Sequence, residues 1–371
     1  MEHQHLETLF FLIFTGAAVM ATLSLFARQA MIIGYILVGI LLGPWGLGFV
    51  NDPELVEGIS KIGIMFLLYL LGLDLLPQQL WKMLGEALTV TLLSSVVFML
   101  IGFAVGWVFG YAVLESLLLG VVMMFSSTII GLKLLPTTTL HHKHTGQIII
   151  SILLIQDLIA IVVLLLLQGY GKGGNLVVSV GLQLLNLPLL IGVAWILEKF
   201  LLEKLVMRFE QIHEYIFLLA IGWCLGMAEL AFYMGLSHEI GALIAGVALA
   251  SSPISLYITE NLKPLRDFFL VMFFFSLGAG FNLSVIHQII LPASLLATAL
   301  IVLKPLVFTL LLKWSGESIL ISREVGFRLG QASEFSLLIA VLAVQSGFIP
   351  DKTSYLIQLT TLLTFIFSSY I

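Results

Sequence analysis

The chain has 371 residues, of which 60% are hydrophobic and 10% charged, with a formal net charge of -5 and a mean hydropathy of +1.14. That balance excludes a soluble globular protein, because too little polar surface is left to face water. The single cysteine, Cys224, excludes an internal disulfide and a cysteine metal cluster.

Apolar runs of about 20 residues without strand-like alternation predict helical spans. In chain order they are about thirteen: 7–26, 29–48, 59–76, 86–110, 114–134, 146–168, 178–201, 213–234, 238–250, 267–281, 288–312, 322–346 and 353–371. The first begins near Leu6 without a basic leader or a small-residue cleavage site, so it reads as a retained helix. The connections are short, so residues 1–371 form one all-α polytopic membrane domain.

Alternate loops divide the basic residues 11 against 3, with Lys304 and Arg328 inside spans. The positive-inside rule then puts the N-terminus outside and the C-terminus in the cytoplasm.

The chain also repeats itself. "GYILVGILLG" (34–43) aligns with "GALIAGVALA" (241–250) at an offset of 207. At an offset of 206, Gly72 meets Gly278, Gly120 meets Gly326 and Ser127 meets Ser333. Repeat one then covers about 6–168, a connector helix about 178–201, and repeat two about 213–371. Matched spans stand seven positions apart in order, with six spans between them, so the two six-helix repeats are inverted, an arrangement of secondary transporters with the site where discontinuous helices meet.

Polar residues inside the spans point to that site. Ser126, Ser127 and Thr128 interrupt one span, and Gln331, Ser333 and Glu334 interrupt its repeat partner. Hydroxyls can close the backbone bonds of a broken helix, and their oxygens can bind a cation. Asp157 lies mid-span between Ile148 and Leu167, where a charge costs roughly 2.5–3.5 kcal/mol on insertion scales. It is the leading candidate for proton and cation binding, with Gln156 beside it offering an uncharged oxygen. Lys304, before Pro305, reads equally as a charge balancing Asp157 or as a bridge between broken helix ends. Arg328 is expected to snorkel to the interface, and Glu334 to bind the ion or pair with Lys304 or Arg328.

Three patterns carry no chemistry here. "GYGKGG" (169–174) follows no strand and reads as a flexible turn. "HHKH" (141–144) could bind metal or sense pH but has no partner acid in its loop, so a solvated basic loop is favoured. Gly102, Gly106 and Gly110 mark close helix packing or a dimer face. No resident metal or cofactor, nucleic-acid partner or enzyme chemistry is expected.

"GYILVGILLGPWGLG" (34–48), "LLGLDLLPQQLWK" (70–82), "FSST" (125–128), "LLIQDLIAI" (153–161), "GALIAGVALASS" (241–252), "FFFSLGAGFN" (273–282) and "GQASEF" (330–335) resemble the membrane domain of Kef-type potassium/proton antiporters. These belong to the monovalent cation:proton antiporter superfamily. The resemblance implies a homodimer in the bacterial inner membrane, with a dimerisation domain and a core moving like an elevator. The core would be spans 4–6 and 11–13, its broken helices crossing at Ser126–Thr128 and Gln331–Glu334. Asp157 matches the ion-carrying Asp, Gln156 the Gln before it and Lys304 the core lysine. Kef systems usually add a cytoplasmic nucleotide-binding regulatory domain; this chain ends inside its last span and is expected to lack it.

The resulting expectation is exchange of a monovalent cation, K⁺ or alternatively Na⁺, for H⁺ at Asp157. The carboxylate holds a proton or faces a cation, and crosses only when laden. One carrier acid implies one cation per proton and no net charge moved. A gated cation channel and a membrane sensor that does not transport are the rivals from other classes.

Overall fold

The computed structural model describes residues 6–50, 53–74, 86–127, 144–170, 176–209, 211–250, 252 and 255–370. Thr128, His141–Lys143, residues 171–174 of the glycine-rich segment and Ile371 lie outside the described residues.

The described residues are helical without strands. In order the helices are α1 (Leu6–Phe26), α2 (Met31–Leu42), α3 (Pro53–Asp74), α4 (Glu86–Val108), α5 (Val113–Met123) and α6 (His144–Tyr170). Then come α7 (Leu176–Leu197), α8 (Glu203–Phe209), α9 (His213–Tyr233), α10 (His238–Ala250) and α11 (Ser255–Ala279). The last four are α12 (Ile286–Trp314), α13 (Ile319–Arg328), α14 (Glu334–Gln345) and α15 (Asp351–Ser368). A π-helical turn, Glu198–Leu202, joins α7 to α8. Among the described residues, 5 helical stretches are long and apolar enough to cross a membrane: Glu7–Phe26, Ala87–Val108, His144–Leu164, Glu214–Tyr233 and Leu283–Trp314.

Helix ends follow local chemistry. Ser318 caps α13 and Ser333 caps α14, each hydroxyl accepting a first-turn backbone N–H. α11 starts at Ser255, well before the expected 267, because hydropathy sees only its apolar end and misses the polar turns "ITENLKPLRD" that continue the same helix.

The chain divides into two compact units. The first comprises Met1–Met20, Tyr35–Gln79 and Lys172–Gly280; within it α3 packs against α10 and α11, and α9 against α10. Here backbones nearly touch. A Cβ on Gly39 would stand 2.1 Å from the Phe275 carbonyl oxygen, and one on Gly246 2.0 Å from that of Tyr69. The facing glycines are Gly278 and Gly72, so only residues without a side chain fit either crossing.

The second unit comprises Ala21–Gly34, Leu80–Gly171 and Phe281–Ile371. In it α12 packs against α4, α13 and α15, and α5 against α4. A Cβ on Gly120 would meet the Met99 carbonyl oxygen at 2.3 Å, and one on Gly326 the Pro305 carbonyl oxygen at 2.6 Å. Both partners and glycines are 206 residues apart. Gly102 faces Gly120, and Gly106 faces Ser116, so these glycines serve packing within the unit, while Gly110 takes a positive φ of 78° in a turn.

Candidate functional site

Two interruptions meet inside the second unit. α5 ends at Met123, and Phe125–Ser127 leave it in non-helical conformation. α13 ends at Arg328, and 329–333 separate it from α14. Ser126, Ser127, Gln331 and Ser333 are all at most 1% exposed, so the backbone groups freed there need protein partners.

Gln156, on α6, answers the first interruption. Its side-chain oxygen accepts the Ser126 N–H at 2.9 Å, and its amide donates to the Met124 carbonyl at 3.2 Å. That oxygen, which the sequence offered to an ion, is engaged in capping. On α15, Thr364 Oγ1 accepts the Ala332 N–H at 3.1 Å and Ser368 donates to Gln331 Oε1 at 3.3 Å. Gln331 in turn donates to the carbonyls of Arg328 at 3.0 Å and Ser127 at 3.4 Å. Ser126 Oγ donates to the Leu329 carbonyl at 3.0 Å, and Ser336 Oγ to that of Val122 at 2.5 Å.

Lys304 stands between the interruptions and is 0% exposed. Its ammonium donates to the Phe125 carbonyl at 2.6 Å, the Gln331 carbonyl at 3.1 Å and Ser126 Oγ at 3.3 Å. Of the two roles open from sequence, bridging the broken ends is the one these distances describe.

Asp157 is buried, 6% exposed, one residue beyond the Gln156 cap on α6. Glu334 opens α14 directly after the Ser333 cap and is partly exposed. Arg328 forms an ion pair with Glu324 at 3.0 Å rather than simply reaching for the interface, because i,i+4 spacing brings the two together. His144 of "HHKH" has an acid partner after all, Glu317 at 2.7 Å, supplied by the turn after α12 and invisible in the loop's own sequence.

Sequence reasoning missed Thr364, Ser368, Ser336 and Phe98. For Thr364 and Ser368 the signal was present: α15 buries Thr353, Ser354, Gln358, Thr360, Thr361, Thr364 and Ser368, far more polarity than a lipid-facing helix carries.

Fold and site together define a polytopic helical membrane protein built around two paired helix interruptions, a buried carboxylate and a buried ammonium. The chain belongs to the family of transmembrane sodium/hydrogen exchangers, which it matches over residues 11–371. K(+) efflux antiporter 5 of Arabidopsis thaliana is 30% identical over 352 residues, covering 91% of this chain and 61% of that protein. Putative cation/proton antiporter YbaL of Escherichia coli strain K12 is 28% identical over 347 residues, covering 89% and 61%. The chain thus spans about three fifths of the length of these relatives, and the Kef-type resemblance stands. The fold is shared with the sodium proton antiporter MjNhaP1 of Methanocaldococcus jannaschii at pH 8, with a TM-score of 0.72, 18% identity and coverage of 98% of this chain and 94% of that one.

Proposed function

We propose that the chain is a secondary active antiporter exchanging a monovalent cation, K⁺ in the first reading, for H⁺ at Asp157. The observation that carries this is a carboxylate 6% exposed, adjacent to the residue that caps one helix interruption. A carboxylate can hold a proton or face a dehydrated cation, and each weakens binding of the other. Ser126, Ser127 and Thr128 are assigned to the same cation and proton site, while Lys304, Gln331, Ser333 and Glu334 support it. Relatives named as K(+) efflux antiporters favour K⁺. A second reading, Na⁺ for H⁺, is favoured by the family's description and by the similar solved structure named as a sodium proton antiporter.

The architecture proposed is two inverted repeats. It is supported by the recurrence of the same close approaches at intervals of 206–207: Gly39 to Gly278 as Gly246 to Gly72, and Gly120 to Met99 as Gly326 to Pro305. The second unit, holding α4–α6 and α12–α15, is taken as the moving core of an elevator, and the first as the scaffold of a homodimer. Placement in a bacterial inner membrane with the N-terminus outside rests on the 11 to 3 division of basic residues.

The deciding experiment is reconstitution in liposomes with an internal pH dye, titrating K⁺ and Na⁺ in turn. Saturable cation-driven proton flux is expected. No flux, or flux that rises without saturation as through a pore, overturns the proposal.

A further inference from the structure

Phe98 on α4 and Lys304 on α12 stand 206 residues apart. The same interval separates Met99 from Pro305, the two backbone positions approached by Gly120 and Gly326. It also separates Phe125 from Gln331, whose carbonyls receive the Lys304 ammonium at 2.6 and 3.1 Å. Phe98 is therefore the counterpart of Lys304 in the other half of the chain.

The counterparts touch. The Lys304 ammonium lies over the Phe98 ring, 5.3 Å from its centroid. Both residues are 0% exposed. Phe308, one turn beyond Lys304 on α12, meets the Phe98 ring edge to face at 5.3 Å and 62°, which fixes the ring's orientation. A cation within about 6 Å of a ring face is attracted by the ring's quadrupole, most strongly when both are out of water. The three N–H bonds of the ammonium are taken by Phe125, Gln331 and Ser126, and the ring covers a further side.

We propose that Phe98 is a positioning residue of the ion site: its ring face and two equivalent carbonyls seat one ammonium that ties both helix interruptions together. One half of the chain supplies the cation and the other supplies the π face at the same position. Two lysines there would repel, and two phenylalanines would leave the carbonyls without a donor. The consequence for transport rests on the exchange reading above; the seating of the ammonium does not.

The test replaces Phe98 with phenylalanine analogues bearing one, two and three ring fluorines, which drain the π face while nearly preserving shape. Two readouts are taken: resistance to unfolding in an SDS titration, and cation-driven proton flux. The folded-to-unfolded ratio is expected to fall stepwise, by roughly fivefold or more across the series. In a Lys304→Met background the series should be flat, since no cation remains. A flat series with Lys304 present, or equal slopes in both backgrounds, overturns the proposal. Stepwise loss of stability in a protein that shows no exchange would sustain it while refuting the antiport reading.

Discussion

The backbone N–H groups of Ser126 and Ala332, 206 residues apart, each end on a side chain: Gln156 on α6 at 2.9 Å and Thr364 on α15 at 3.1 Å. Interrupting a helix in lipid frees polar groups that water cannot reach. The two caps solve the same problem at equivalent places, yet only one is followed by an acid. Asp157 comes after Gln156, whereas Phe365 comes after Thr364. The carboxylate therefore lies on the same turn of α6 as the residue that closes the backbone.

Gln156→Leu should leave the Ser126 N–H and the Met124 carbonyl without their side-chain partner. Each buried unsatisfied group costs about 1–3 kcal/mol. A lower melting temperature in detergent and a large loss of exchange are expected. Thr364→Val frees the Ala332 N–H and drops the Thr364 hydroxyl's bond to the Thr361 carbonyl, an acceptor inside α15 that keeps its helical setting; lying away from Asp157 in sequence, it should lower melting less and retain part of the flux. A Gln156→Leu protein that melts and exchanges like the parent would refute the cap.

Asp157→Asn keeps the shape and removes the titrating charge. Exchange should vanish while melting is unchanged or raised, since an acid within the span is costly. Proton flux at the parent rate in the purified variant would remove Asp157 from the mechanism.

Much of this was legible in the sequence because the membrane imposes one rule on every span. Length and apolarity located the helices, and polar residues inside apolar runs located Ser126, Asp157, Lys304 and Gln331. The offset between glycines was legible as a repeat but did not say which backbones would touch, since Gly39 meets Gly278 and Gly246 meets Gly72 rather than their own counterparts. Partner choice was not legible. Lys304 could have faced Asp157 or the broken ends, and only the fold brings the Phe125 and Gln331 carbonyls to it. Phe98 was hidden because a phenylalanine in an apolar run signals only burial, and the pairing of His144 with Glu317 joins residues 173 apart.

Gly246→Ala should damage the first unit, because its Cβ would sit 2.0 Å from the Tyr69 carbonyl oxygen, which belongs to the backbone and cannot swing away. Overpacking of this kind costs typically about 1–3 kcal/mol. Gly222→Ala is the control, since a Cβ there meets nothing within 4 Å. Melting temperatures should separate the two by several degrees, and equal values would show that the α3 and α10 backbones are not in contact.

If positions 98 and 304 are equivalent, the lysine can change sides. Lys304→Phe alone should lose stability by stranding two buried carbonyls. Adding Phe98→Lys should recover part of that loss, because an ammonium from α4 reaches the same pair. SDS unfolding of the single and double variants measures this as a cycle. A double variant less stable than Lys304→Phe would show that the two sides are not interchangeable.

The number of charges moved per cycle turns on whether Lys304 ever gives up its proton. Its nitrogen faces two carbonyl oxygens, and the third partner, Ser126 Oγ, directs its own hydrogen to the Leu329 carbonyl. An unprotonated amine would meet acceptors where its lone pair needs a donor. The Phe98 ring likewise favours the cation. Gln156 cannot titrate, and Asp157 is the carrier acid of the proposed cycle. Lys304 should therefore stay charged throughout, and exchange should be electroneutral, one cation for one proton. A cycle that moved a net charge would instead be driven at about 2.3 kcal/mol per 100 mV. The measurement is cation-driven proton flux in sealed liposomes at fixed ion gradients, with the potential set by valinomycin and K⁺ while Na⁺ or Rb⁺ controls correct for the ionophore's own leak. Flux that ignores the imposed potential is expected. A transport current, or a rate that follows the potential, would show that a second titrating group, Lys304 first among them, takes part in the cycle.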